Sequence, residues 1–163
     1  MSREHSLTPA LRALLASRRT AALGTVDASG AAFVSLVPFA IDPGSASLVI
    51  HISALAAHSQ NLQARPNASL MVADGEVVGE PVHALARVSI EVLATWAEPG
   101  SGLAAQCRAT YLVRFPEAEP MTTLGDFRFV RLSLRGARQV AGFGAARSLS
   151  ADEIAQALSP TAA

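Results

Sequence analysis

Residues 20–53 read TAALGTVDASGAAFVSLVPFAIDPGSASLVIHIS, and this stretch decides the fold. Thr20 to Val26 is a strand candidate, and Asp27-Ala28-Ser29-Gly30 is a turn in which Gly30 can supply a positive φ. Phe33 to Ile41, rich in β-branched and aromatic residues, reads as the returning strand of a hairpin. Asp42-Pro43-Gly44 reverses the chain again, and Ser47 to Ser53 forms a third strand. Three strands joined by short turns make a meander, so the sheet is expected to be antiparallel.

Outward from this meander, helices and further strands alternate. Upstream, Thr8-Pro9 suits a helix start, with Leu11, Leu14 and Leu15 on one stripe. Downstream, the segment from Ala54 reads as a helix that Pro66 stops at Arg65. Asn67 to Asp74 reads as a strand, and Val82 to Ala97 as a long one with Val88, Ile90 and Val92 on one face. A helix at about Leu103 to Arg114 ends at Phe115-Pro116-Glu117. Phe127 to Val140 is the last strand, and Gly142-Phe143-Gly144 marks its exit. In the final helix Ser150 and Glu153 form a capping box, with Leu149 and Ile154 at the hydrophobic-staple positions. No repeat and no long linker interrupts this order. The expected architecture is mainly β (α+β): one domain over residues 1–163, a six-stranded antiparallel barrel with peripheral helices. Residues 1–18 form an N-terminal helix and tail, and residues 150–163 a C-terminal helix and tail.

Composition narrows the function. The 163 residues carry 13 Arg and no Lys against 13 acidic residues, for a net charge of zero. No Schiff-base or P-loop lysine exists, and no basic excess points to nucleic acid. One cysteine, Cys107, excludes an intramolecular disulfide and a Cys-based zinc site. No apolar run approaches the roughly 20 residues that span a bilayer, and the polar Met-Ser-Arg-Glu-His start does not read as a signal peptide. A cytoplasmic protein, free of membrane, is expected. Charged residues make up only 16 %, against roughly 25 % in an average soluble protein, which suits a surface partly covered by a second copy.

The chemistry-bearing stretch is Ser53 to Asn61, a strand end running into a helix start. Free N–H groups and the positive helix end attract phosphate there, and Ser53, His58, Ser59 and Asn61 add side-chain donors. The same four residues also suit a solvated face with a capping serine. His51, between Ile50 and Ile52, reads as a core or dimer-face histidine, His5 and His83 as surface residues, and Cys107 as core. Asp126 reads as a turn residue before the last strand. No metal site and no general acid/base pair emerges, so no catalytic residue is assigned.

The runs Ala22-Leu23-Gly24-Thr25-Val26, Phe33-Val34-Ser35-Leu36-Val37-Pro38-Phe39, His58-Ser59-Gln60-Asn61-Leu62 and Arg65-Pro66-Asn67-Ala68-Ser69-Leu70 resemble, in order and spacing, the FMN-binding split-barrel superfamily similar to pyridoxamine 5′-phosphate oxidase. Phe115-Pro116-Glu117-Ala118, Leu124-Gly125-Asp126-Phe127 and Gly142-Phe143-Gly144-Ala145-Ala146 look like its haem-utilisation branch. The resemblance implies a homodimer with FMN between subunits. Ser35 and Val37 would lie under the flavin, Ser53, His58, Ser59 and Asn61 at its phosphate and ribityl chain, and Arg87 beside the cofactor. Val34 and His58 stand where the oxidase carries Arg and Lys, and its substrate-binding ending is absent after Gly144. An FMN-dependent oxidoreductase that does not oxidise pyridoxamine phosphate is the first expectation. A haem-binding protein using the same groove, or a non-catalytic dimeric module, is the alternative. Haem would take its axial ligand from His58, His51 or His83.

Overall fold

The computed structural model describes residues 3–159. In chain order the elements are α1 (Arg3–Ser17), β1 (Thr20–Val26), β2 (Ala32–Pro38), β3 (Ala40–Asp42), β4 (Ser47–Ser53), α2 (Ala57–Ala64), β5 (Asn67–Ala73), β6 (Arg87–Trp96), α3 (Gly102–Arg114), β7 (Phe127–Val140), β8 (Ala146–Ser150) and α4 (Ala151–Leu158). All strand pairs are antiparallel, in the order β2-β1-β5-β6-β7-β4-β3, with β8 on the far half of β7. The strands β2 and β3 are consecutive in the chain yet form opposite ends of that order. The sheet therefore curls until its two edges meet around Phe39. This is a split barrel with peripheral helices.

The barrel has eight strands rather than the six expected, for two local reasons. The returning strand divides, because Pro38 carries no N–H to donate. Phe39 instead sends its N–H to the Arg19 carbonyl at 3.1 Å, and pairing resumes at Ala40 with Val49 opposite. After Gly142-Phe143-Gly144 the chain also folds back, so that Ala146–Ser150 pairs with Gly136–Val140. Gly142 and Gly144 hold positive φ of 112° and 68° in that turn, a conformation glycine adopts without steric cost. Two other boundaries move. The helix α1 begins at Arg3, so Pro9 lies inside it, and the segment at Val82–Ala84 is a 3₁₀ turn that precedes β6.

Two cores follow from strand alternation. Leu48, Ile50 and Ile52 of β4 point into the barrel with Val130 and Leu132 of β7, and Leu11 and Leu15 of α1 close one opening. The other face of β4 carries Val49 and joins a second core of Ala40, Cys107, Tyr111, Phe115 and Phe129 beneath α3. Because α3 covers the outer face, β4 is buried on both sides almost throughout.

The capping box of α4 forms as read: the Ser150 hydroxyl accepts from the Glu153 N–H, and the Glu153 carboxylate accepts from the Ser150 N–H at 2.8 Å. Ile154 is fully buried and Leu149 nearly so. Substituting Ser150 by Ala should lower the unfolding free energy by about 1 kcal/mol, read from urea midpoints. No change at that position would show that β8 and the Ile154 anchor fix the helix without its cap.

Candidate functional site

The outer face of the barrel beneath α3 holds two cavities that share a wall. In the register between β4 and β7, His51 stands opposite Phe129 and Ser53 opposite Phe127. All four side chains therefore lie on one face. The His51 ring stacks on Phe129 with centroids 4.3 Å apart and leans on Phe127 at 5.2 Å and Tyr111 at 5.7 Å. Burial among these rings penalises its cation and pushes the His51 pKa down to about 4, so the imidazole is neutral at physiological pH. Neither ring nitrogen makes a hydrogen bond among the described residues.

One cavity, of about 430 Å³, lies on the β2 side and is walled by Leu36, Val37, His51, His58, Tyr111 and Phe115, among others. The other, of about 500 Å³, lies under the start of α3. It is walled by His51, Ala104, Phe127 and Phe129 and bears Arg108 and Arg128. His51 and Phe127 belong to both linings. Each volume falls within the 300–1,000 Å³ common for small-molecule sites.

Three of the four side chains expected at the helix start make hydrogen bonds within the protein. The Ser59 hydroxyl is fully buried and donates to the Ser53 carbonyl at 2.6 Å. The Asn61 amide donates to Thr25 Oγ1 at 3.0 Å. The Ser53 hydroxyl donates to the Asp126 carboxylate at 3.0 Å and accepts from the Leu55 N–H at 3.2 Å. These donors tie β4, α2 and β1 together, and Asp126 adds a negative charge beside them. His58 is half-buried, its pKa lowered by desolvation, and its Nε2 is buried without a partner. No charge on His58 compensates for the missing Lys.

The other expected positions separate. Val37 is buried in the barrel core and reaches one cavity. Ser35, two residues earlier on the same face, has a buried hydroxyl with no hydrogen-bond partner. Arg87 is elsewhere. It pairs with Val140 at the far end of β7, whereas Ser53 pairs with Phe127 at the near end. The 14 residues of β7 extend roughly 40 Å along a strand. Arg87 donates to the Leu85 carbonyl at 3.0 Å. His83 is exposed in the 3₁₀ turn and lines neither cavity, while the side chain of His5 lies outside the described residues. Cys107 is buried in the second core as read.

Sequence reasoning did not assign Arg108, Arg128, Phe127, Phe129 and Tyr111 to the site. Their convergence depends on β7 pairing with β4 and on α3 returning over both. The alternation of β4, which puts His51 opposite in sense to Ile50 and Ile52, was the available signal.

The comparisons agree with this architecture. The pyridoxamine 5′-phosphate oxidase family model matches residues 7–141. HutZ of Vibrio cholerae, described as a haem oxygenase, is 32% identical over 149 residues, covering 91% of this chain and 84% of that protein. The crystal structure of HutZ, there described as a haem storage protein, superposes with a TM-score of 0.70 at 30% identity, covering 81% of this chain and 89% of the other. A haem-binding protein from Mycobacterium smegmatis gives a TM-score of 0.81 at 26% identity over 91% of this chain, which spans 60% of that chain's length. Among the described residues no helix is long and apolar enough to cross a membrane.

Proposed function

The chain belongs to the pyridoxamine 5′-phosphate oxidase family, and we propose that within it this protein binds haem and serves haem utilisation. The observation that carries this reading is the state of the helix-start donors. Ser53, Ser59 and Asn61 already have partners inside the protein, so a phosphate dianion would have to displace them beside the Asp126 carboxylate. The space next to them is apolar and offers the neutral His51 imidazole instead. Haem asks for an apolar enclosure for its macrocycle and an axial ligand for its iron. His51 and Phe127, which wall both cavities, fit that demand together with Phe129 and the alanines beneath α3. When bound, haem would supply iron-centred chemistry, and the protein would hold and shield it. The names of the relatives point the same way.

A second reading keeps FMN in the smaller cavity. The unpartnered Nε2 of His58 favours it, since that nitrogen could meet an oxygen of a ribityl chain. Both readings use a second copy of the chain as partner. Val34 and Leu36 form an exposed apolar pair on one face of β2, with Leu36 72 % exposed at the cavity mouth, and another protomer would cover it.

One titration tests these readings. Purified protein is mixed with haem, and separately with FMN, and absorbance is recorded alongside sedimentation. A saturable Soret band on a species of twice the chain mass is the expected result. Flavin absorbance that shifts on mixing while haem produces no specific band would overturn the haem reading in favour of the oxidoreductase.

A further inference from the structure

Resting on the haem reading, we propose that haem occupies the larger cavity beneath α3, with His51 as axial ligand and Arg108 and Arg128 as partners of its two carboxylates. The geometry of His51 suits a ligand. It is only 6 % exposed, yet it forms the wall between both cavities. One face of its ring is stacked on Phe129, with Phe127 and Tyr111 also against it, and the rest of the ring borders the cavities. Neither nitrogen has a hydrogen-bond partner among the described residues. A ring clamped in this way meets iron without losing further rotamer freedom.

Charge chooses between the two cavities. The smaller one has Glu117 as a lining residue, and although Glu117 pairs with Arg19 at 2.5 Å, its sign is wrong for a carboxylate-bearing ligand. The larger one has two guanidiniums. Arg128 donates to the Gly125 and Phe127 carbonyls at 2.5 and 2.9 Å and meets no carboxylate among the described residues. A guanidinium has five N–H donors, so part of its fork stays free for a ligand oxygen. Arg108 bonds Thr122 at 3.1 Å and is in a salt bridge with Glu119 at 3.2 Å, so Arg128 is the guanidinium of this cavity without an acidic partner among the described residues. The start of α3 borders the same space through its cap Ser101 and through Ala104, and the positive helix end adds attraction for an anion. Ala97, Ala104 and Ala105 line the cavity, and their small side chains leave room for a flat ring system between α3 and the phenyl groups of β7. One cavity thus combines an unengaged neutral imidazole, an aromatic wall and two cations.

Haem titrations of the full chain test this, read by Soret absorbance and by electron paramagnetic resonance of the ferric complex. Wild type and His58→Ala should give one and the same histidine-ligated spectrum. His51→Ala should lose it and regain it when free imidazole is added. Ala105 is exposed, so Ala105→Trp fills the cavity without disturbing a core, and it should weaken haem binding roughly tenfold, as should Arg128→Gln. These two variants decide the matter should His51→Ala fail to fold. An unchanged spectrum in His51→Ala, or loss in His58→Ala alone, would overturn the assignment while leaving haem binding intact. Unchanged affinity in both Ala105→Trp and Arg128→Gln would move the ligand out of this cavity. No specific complex with wild type would instead defeat the haem reading itself.

Discussion

Replacing Phe39 by Ala should destabilise the protein by about 3–5 kcal/mol, the cost typical of deleting a buried phenyl ring. Phe39 is fully buried at the single residue between β2 and β3, where the two edges of the curled sheet come together. Its ring belongs to the barrel core, and the Arg114 guanidinium sits over it at 4.9 Å from the centroid. That guanidinium also donates to the carbonyls of Leu15 at 3.1 Å, Ala16 at 3.2 Å and Arg18. It therefore ties the end of α1 to α3 across the ring. Removing the ring leaves a cavity and loosens the platform beneath Arg114 in one step. Against a total stability of roughly 5–15 kcal/mol, the loss should be plain in urea midpoints and should lower the melting temperature by on the order of 10 °C. Phe143, 71 % exposed, serves as the control, and its replacement by Ala should stay within about 0.5 kcal/mol. Equal, small effects at both positions would show that the barrel closes without Phe39.

The strands that alternate cleanly were the legible ones. β1 and β7 begin and end at the residues their patterns indicate, because one face of each is committed to the barrel core. β4 was legible for another reason. Its centre is the apolar run Leu48-Val49-Ile50, and the structure buries both faces, one inside the barrel and one under α3. The break at Phe39 was hidden because its hydrophobicity continues the pattern on both sides. Pro38 was the only local mark of it. β8 was hidden because Ala146–Ser150 is short and its strand state comes from pairing with the far half of β7, which no local propensity encodes.

At the site, sequence located the polar residues but not what they bond to. A run such as Ser53 to Asn61 offers the same donors whether a ligand or the protein accepts from them. Only the fold, by bringing Thr25 within 3.0 Å of Asn61 and Asp126 within 3.0 Å of Ser53, shows them committed internally. Arg87 illustrates the converse. It lies on the long strand as expected, but strand register, not residue type, sets which end of the barrel it reaches. His51 looked like packing and is packed, yet its neighbours come from β7 and α3, far away in the chain.

That burial makes His51 the source of the second large effect, a loss of stability of the ligand-free protein in mild acid. Its pKa falls to about 4 in the folded chain, while in the unfolded chain it keeps a value near 6.5. Above pH 6.5 both states hold a neutral ring, and the stability is fully present. As pH falls below 6.5 the unfolded chain takes up a proton that the folded chain refuses, so unfolding becomes easier. The decline continues until about pH 4, where the folded state also accepts the proton. The interval between the two values corresponds to about 3 kcal/mol. Desolvation lowers the His58 pKa as well, so it acts with the same sign. Asp27, Glu117 and Glu153 have values lowered by their hydrogen bonds, and they contribute only where carboxylates titrate, below roughly pH 4.5. The window from pH 6.5 to 4.5 therefore isolates the histidines. Urea midpoints of the ligand-free protein measured across it should fall steeply in wild type and in His58→Ala. In His51→Phe, where a ring that cannot be protonated fills the same aromatic stack, most of the slope should vanish. A wild-type profile that stays level from pH 7.5 to 4.5 would mean that the imidazole gains its proton without leaving the fold, and that the wall between the two cavities is wetter than its aromatic lining implies.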